Sequence, residues 1–205
     1  DVVIRVERVL DLDGEAQLVA SVLSKKLAAG SRHVLIDLPV GPSAKVRSAQ
    51  GAARLGATLV QVGRALGLNV RVLNTDGLEP VGRGIGPALE AHEVLAVLRN
   101  ASAAPADLKQ RSLSLAGPLL EMAGLAPAGQ GLAMAAAALA DGRAWRKFVA
   151  ICEAQGGMRD PGRAPHVFEV LARRAGQDHD ADAAPPQEVL PVHGRGGGLR
   201  QGERD

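Results

Sequence analysis

The chain has 205 residues, enough for one good hydrophobic core or for one domain and part of another. Its hydrophobic share of 46% is ordinary, but two phenylalanines, one tryptophan and no tyrosine leave no platform for stacking bases, which argues against single-stranded nucleic-acid binding. A net charge of +2 with both signs interspersed implies no broad basic face, one cysteine excludes an internal disulfide, and no run approaches the roughly 18 apolar residues of a membrane helix.

A lone thiol suits a reducing compartment, so a cytoplasmic location is expected, and Cys152, within FVAICEAQ, reads as a structural residue of a helix. The chain opens without methionine in the middle of a strand-like run, Val2 to Leu10, as a truncated chain would. Asp11, Asp13 and Gly14 then supply turn and N-cap chemistry for a helix over Glu15 to Gly30, EAQLVASVLSKKLAAG. Leu18, Val19, Val22 and Leu23 form its apolar arc. At about 100° per residue, Ser21 and Lys25 project about 40° apart on one face. Lys26 falls near the apolar arc, so periodicity alone does not say which lysine reaches a ligand.

His33 to Val40, HVLIDLPV, is a nearly unbroken apolar run of the kind found in strands covered on both faces, with Pro39 at its end. Asp37 lies near its carboxyl end, the edge at which open α/β sheets bind ligands. Ala44 to Gly67 carries a helical pattern and Asn69 to Thr75 the next strand, together a parallel crossover unit. Thr75 to Glu90, TDGLEPVGRGIGPALE, is a glycine- and proline-rich loop entering a helix near Pro87. Its GRGIG core invites a phosphate-loop reading, but the spacing of the nucleotide motifs is absent, and a tight backbone-to-backbone loop is the plainer account.

Helices follow over Ala88 to Leu98, Asp107 to Ala123 (interrupted at Gly117-Pro118), Gly131 to Ala140 and Asp141 to Ala154. Gly157 to His166 reads as a connector, Val167 to Arg174 as one short helix or strand, and Ala175 to Asp205 as a disordered tail. His166, His179 and His193 lack metal-ligand spacing, so no metal site is expected.

Three stretches read together resemble the thymidine phosphorylase family, in wording closest to a branch that includes the archaeal AMP phosphorylases. They are LVASVLSKKLAAG at Leu18 to Gly30, VLIDLPVGPSAKV at Val34 to Val46, and NTDGLEPVGRGIGPALEAHEVLAVL at Asn74 to Leu98. The resemblance covers roughly Val2 to His166. It implies a two-lobed protein in which inorganic phosphate, as co-substrate and with no cofactor, attacks the anomeric carbon of a nucleoside and releases the base.

On that resemblance the fold class is α/β: a parallel-sheet α/β lobe with an attached segment of a helical lobe, a helical carboxyl-terminal half and a disordered tail. Residues 1–30 would belong to the helical base-binding lobe, 31–156 to the α/β lobe, and 157–205 to the connector and tail. The family's base-binding serine and lysine match Ser21 and Lys25. An arginine upstream is matched by Arg5, allowing a one-residue insertion, with Arg8 as the alternative. An ammonium beside the departing base stabilises the charge that develops on it.

The chain departs from the pattern twice. Nothing matches the family's phosphate-binding stretch, so the polypeptide alone is expected to bind phosphate weakly and to be inactive. The carboxyl end lacks the expected small β-rich domain, as a reading-frame slip would produce. The expected partners are nucleoside and phosphate, without nucleic acid or membrane, and the full-length protein is expected to be a homodimer. The chain itself would expose apolar helix surface and associate. The competing readings are a nucleoside 5′-monophosphate phosphorylase and a non-catalytic scaffold. A dinucleotide-binding module is more distant, because the glycine spacing is wrong.

Overall fold

The computed structural model describes residues 14–168, and the chain divides into two units, Asp1–Pro161 and Gly162–Asp205. Arg5, Arg8, the run Val2 to Leu10 and the tail Ala175 to Asp205 lie outside the described residues. So does the segment Val167 to Arg174, apart from Val167 and Phe168, which carry no helix or strand.

In the first unit the described order is α1 (Glu15–Ala28), β1 (His33–Val40), α2 (Ala49–Ala65), β2 (Asn69–Asp76), α3 (Pro87–Leu98), α4 (Ala106–Met122), α5 (Gly131–Ala140) and α6 (Arg143–Ala154). The fold class is α/β. β1 and β2 pair in parallel from His33 opposite Asn69 to Val40 opposite Asp76, with α2 as the crossover between them.

Strand alternation sends even-numbered residues to one face and odd-numbered ones to the other. The even side, with Val34, Leu38 and Val70, joins Val19 and Leu23 of α1 and Ala52, Leu55 and Leu59 of α2 in the core. Leu23 is fully buried and Val19 is 3% exposed. Burying a leucine this completely contributes about 1.5–3 kcal/mol, so α1 is anchored by two residues one turn apart. The odd side of β1 faces α4 through Asp37.

Two elements depart from expectation by more than a residue or two at an end. α2 begins at Ala49 instead of Ala44, because Ser48 is its N-cap, accepting the Gly51 N–H at 3.1 Å. The residues before it are held in a turn in which the Gly41 N–H donates to the Val46 carbonyl at 3.1 Å. α4 runs without a break through Gly117-Pro118. Proline removes one intrahelical donor there, but α5 packs closely on this turn: a Cβ on Gly117 would lie 2.7 Å from the Leu132 nitrogen. Only a glycine fits that crossing.

The strand pairing also passes Pro39, since Val40 accepts the Gly77 N–H at 3.0 Å. Just beyond, a Cβ on Gly41 would sit 2.5 Å from the Gly77 carbonyl oxygen, so the loops leaving β1 and β2 touch backbone to backbone.

The helical half ends in an aromatic cluster on α6. Arg99 lies 4.6 Å above the Trp145 ring, and Trp145 stacks on Phe148 with centroids 6.1 Å apart. Cys152 is half-buried on the same helix. No described helix is long and apolar enough to cross a membrane.

Candidate functional site

Helix α1 places Ser21 and Lys25 on one stripe, as their spacing requires. The Lys25 Nζ donates to the Ser21 Oγ at 3.3 Å. A hydroxyl that accepts from an ammonium keeps its own proton for another partner, so the pair offers two donors side by side. Ser21 is half-buried and Lys25 exposed, with Lys26 exposed beside it. The structure pairs the serine with Lys25, not Lys26. Their expected arginine partner, Arg5, lies outside the described residues.

Leu18, one turn before Ser21 on the same stripe, lines a cleft of about 220 Å³ at the amino-terminal end of α1. The opposite wall carries Lys45 and Arg47 from the turn after β1 and Arg54 from α2. Among the described residues, Glu15 is the acidic group of the lining. It accepts from Arg54 Nε at 3.0 Å and from the Thr58 hydroxyl at 3.2 Å. Among the described residues the lining thus brings Lys45, Arg47 and Arg54 together with Glu15, beside the amino-terminal end of α2, and Arg54 is paired with that carboxylate.

At the carboxyl edge of the sheet, Asp37 is bound into a network with Arg111 and Thr75. Arg111 of α4 donates from Nη1 to Asp37 Oδ2 at 3.1 Å and to the Thr75 Oγ1 at 2.6 Å. Its Nη2 donates to the Asp76 carbonyl at 2.7 Å. The Thr75 hydroxyl in turn donates to Asp37. The guanidinium therefore joins both strand ends to α4, and Asp37 balances its charge.

The glycine-rich loop is the clearest negative result for phosphate. Its backbone N–H groups already have acidic partners: Gly82 donates to Asp107 at 2.8 Å, Arg83 to both oxygens of Glu93 at 3.0 and 3.1 Å, and Gly86 to Glu90 at 2.9 Å. A phosphate would have to displace three carboxylates and then sit among them. The Gly82 N–H, then that of Leu108, holds the Asp107 carboxyl below its ordinary value. This is a braced turn, as its crowded glycines indicate: a Cβ on Gly84 would lie 2.8 Å from the Leu89 carbonyl carbon. Among the described residues, no three His, Cys, Asp or Glu side chains converge as a metal site.

No protein-family model matches the chain. A protein of Polaromonas sp. strain JS666 named "Putative thymidine phosphorylase" is 69% identical over 176 residues, covering 86% of this chain and 34% of that protein. This chain belongs to the thymidine phosphorylase family. "Putative thymidine phosphorylase 1" of Acidovorax sp. strain JS42 is 66% identical over 177 residues, covering 86% of this chain and 35% of its own length. The protein of that name from Cupriavidus necator is 60% identical over 176 residues, covering 86% of this chain and 34% of that protein. The chain thus spans about a third of the length of the thymidine phosphorylase relatives it matches.

Sequence reasoning singled out Ser21 and Lys25 but passed over Lys45, Arg47, Arg54, Thr75 and Arg111. Lys45 stands inside one of the family stretches, VLIDLPVGPSAKV, and was legible there. Arg111 was not, because its partner Asp37 is 74 residues away in the chain.

Proposed function

We propose that this chain is the base-binding part of a nucleoside phosphorylase, with a pyrimidine nucleoside such as thymidine as substrate. In the reaction a phosphate oxygen bonds to the anomeric carbon as the bond from that carbon to the base nitrogen breaks. The electron pair leaves with the base, giving thymine and 2-deoxyribose 1-phosphate. Inorganic phosphate is the co-substrate, and the chemistry needs no metal or organic cofactor.

The observation that carries the reading is the Ser21–Lys25 pair on α1. A fixed ammonium beside the departing base interacts more strongly with the anionic leaving group than with the neutral nucleoside, so it lowers the barrier and not only the binding constant. The names of the relatives support the reaction class. The longer protein would act in the cytoplasm as a homodimer.

Calorimetry tests the assignment. Thymine binds the purified 205-residue chain, and Lys25→Ala weakens that binding by about tenfold or more, as expected when a hydrogen bond to a charged group is lost. Absence of binding in both forms would leave a non-catalytic scaffold as the better account. Because the phosphate-binding stretch has no match here, the purified chain is expected to show no phosphorolysis of thymidine.

A second reading has its own observation. The cleft lined by Leu18 of α1 also carries Arg47, whose exposed guanidinium would meet an anionic substituent such as the phosphate of a nucleoside 5′-monophosphate. Comparing base release from thymidine and from AMP by the full-length gene product separates the two.

A further inference from the structure

We propose that Glu15 is a positioning residue for the Ser21–Lys25 pair: by gripping α2 with both carboxylate oxygens it fixes the orientation of α1, and with it the direction in which the Lys25 ammonium is aimed. The proposal rests on the reading above that this pair meets the base.

The last turns of α1 do not aim the lysine by themselves. Every residue from Ser24 to Ala28 is exposed, so the turn that carries Lys25 takes its direction from the helix before it. The packed arc lies earlier, at Leu18, Val19, Val22 and Leu23. Such apolar contacts fix which side of the helix faces inward, but they are non-directional and tolerate a small roll or slide. The N-cap residue is Gly14, which has no side chain with which to cap the first turn.

Glu15 supplies the directional contact. It is the first residue of α1 and stands half-buried on the packed side, one turn before Val19. Its Oε2 accepts from Arg54 Nε at 3.0 Å, and its Oε1 from the Thr58 hydroxyl at 3.2 Å. That hydroxyl shares its proton with the Arg54 carbonyl at 3.1 Å. Arg54 and Thr58 are one turn apart on α2, so the two oxygens of a planar carboxylate are held at two heights of the neighbouring helix. Neither a roll nor a slide of α1 preserves both bonds. Lys25 lies about 15 Å further along the axis, and a change of tilt at the first turn displaces its ammonium accordingly. The Arg54 side chain is 75% exposed, so the grip adds little to stability. Its effect is on direction.

The experiment measures thymine binding by calorimetry to the 205-residue chain, Glu15→Gln, Lys25→Ala and the double variant, with a thermal midpoint for each. Thymine is neutral, so the lost charge at Glu15 acts on it only weakly through space. Glu15→Gln is expected to weaken thymine by about three- to fivefold, the ceiling set by what an exposed pair contributes, with a midpoint close to that of the wild type. In the Lys25→Ala background the same change is expected to have no further effect, because no ammonium remains to be aimed. Thr58→Val should shift affinity in the same direction and Thr58→Ser restore it, and this pair carries the comparison if Glu15→Gln does not fold cooperatively. Equal losses in the two backgrounds would show that Glu15 acts on the chain as a whole and overturn the proposal. Unchanged affinity in Glu15→Gln, while Lys25→Ala still weakens binding, overturns it and leaves the base-binding reading intact. A wild-type chain that does not bind thymine removes that reading, and the proposal with it.

Discussion

The Lys25 ammonium donates to the Ser21 hydroxyl at 3.3 Å, so two residues a helical turn apart form one joined polar group. Removing either leaves the other without its orienting partner. The losses in thymine affinity from Ser21→Ala and Lys25→Ala are therefore expected to be less than additive in the double variant. Their coupling should lie in the range of about 0.5–3 kcal/mol seen for residues that share one network. A double-mutant cycle by calorimetry measures it, and strict additivity would separate the two roles.

Leu23 is the best-buried side chain of α1, and its contacts reach both α2 and the sheet. Leu23→Ala is expected to destabilise the chain by about 2–5 kcal/mol, through lost transfer energy and the cavity left behind. Urea unfolding followed by circular dichroism reads this as a lower midpoint. A change under 1 kcal/mol would mean that α1 is not part of the folded core.

A side chain at position 41 has no room, since its Cβ would come within 2.5 Å of the Gly77 carbonyl oxygen. Gly41→Ala is expected to push the two loops apart and to lower stability by about 1–3 kcal/mol, in line with other overpacked sites. Thermal melting of the two forms tests it, and an unchanged midpoint would mean that the loops separate without cost.

Asp107 ties the glycine-rich loop to α4, and its folded-state value lies below the ordinary 3.8. A carboxyl lowered by folding stabilises the folded form fully above its unfolded value and loses that contribution as pH falls through the lower, folded value. The Gly82 amide resonance should accordingly be constant above about pH 5 and move only in acid below 3.8. In Asp107→Asn that acid-dependent movement should be gone.

Much of the frame was legible in the text. The apolar run HVLIDLPV fixed β1 to the residue, and the alternation of β1 with α2 and β2 gave a parallel unit because a crossover helix separates the strands. Ser21 and Lys25 followed from helical spacing. Local chemistry decided what was misread: Ser48 starts α2 late, and α4 accepts Pro118 because the turn beside it packs on α5. The basic cleft escaped notice because Lys45, Arg47 and Arg54 follow no single period. They converge only when the turn after β1 folds over the start of α1.

The contacts of Trp145 with Arg99 and with Phe148 have a practical reach beyond packing. This is the chain's single tryptophan, so all its indole emission originates at the junction of α3 and α6. Fluorescence will report the loosening of the helical half and be blind to events around Leu23. An optical transition that precedes the loss of ellipticity would show the two halves melting separately, and a coincident one would show them melting as a single cooperative body.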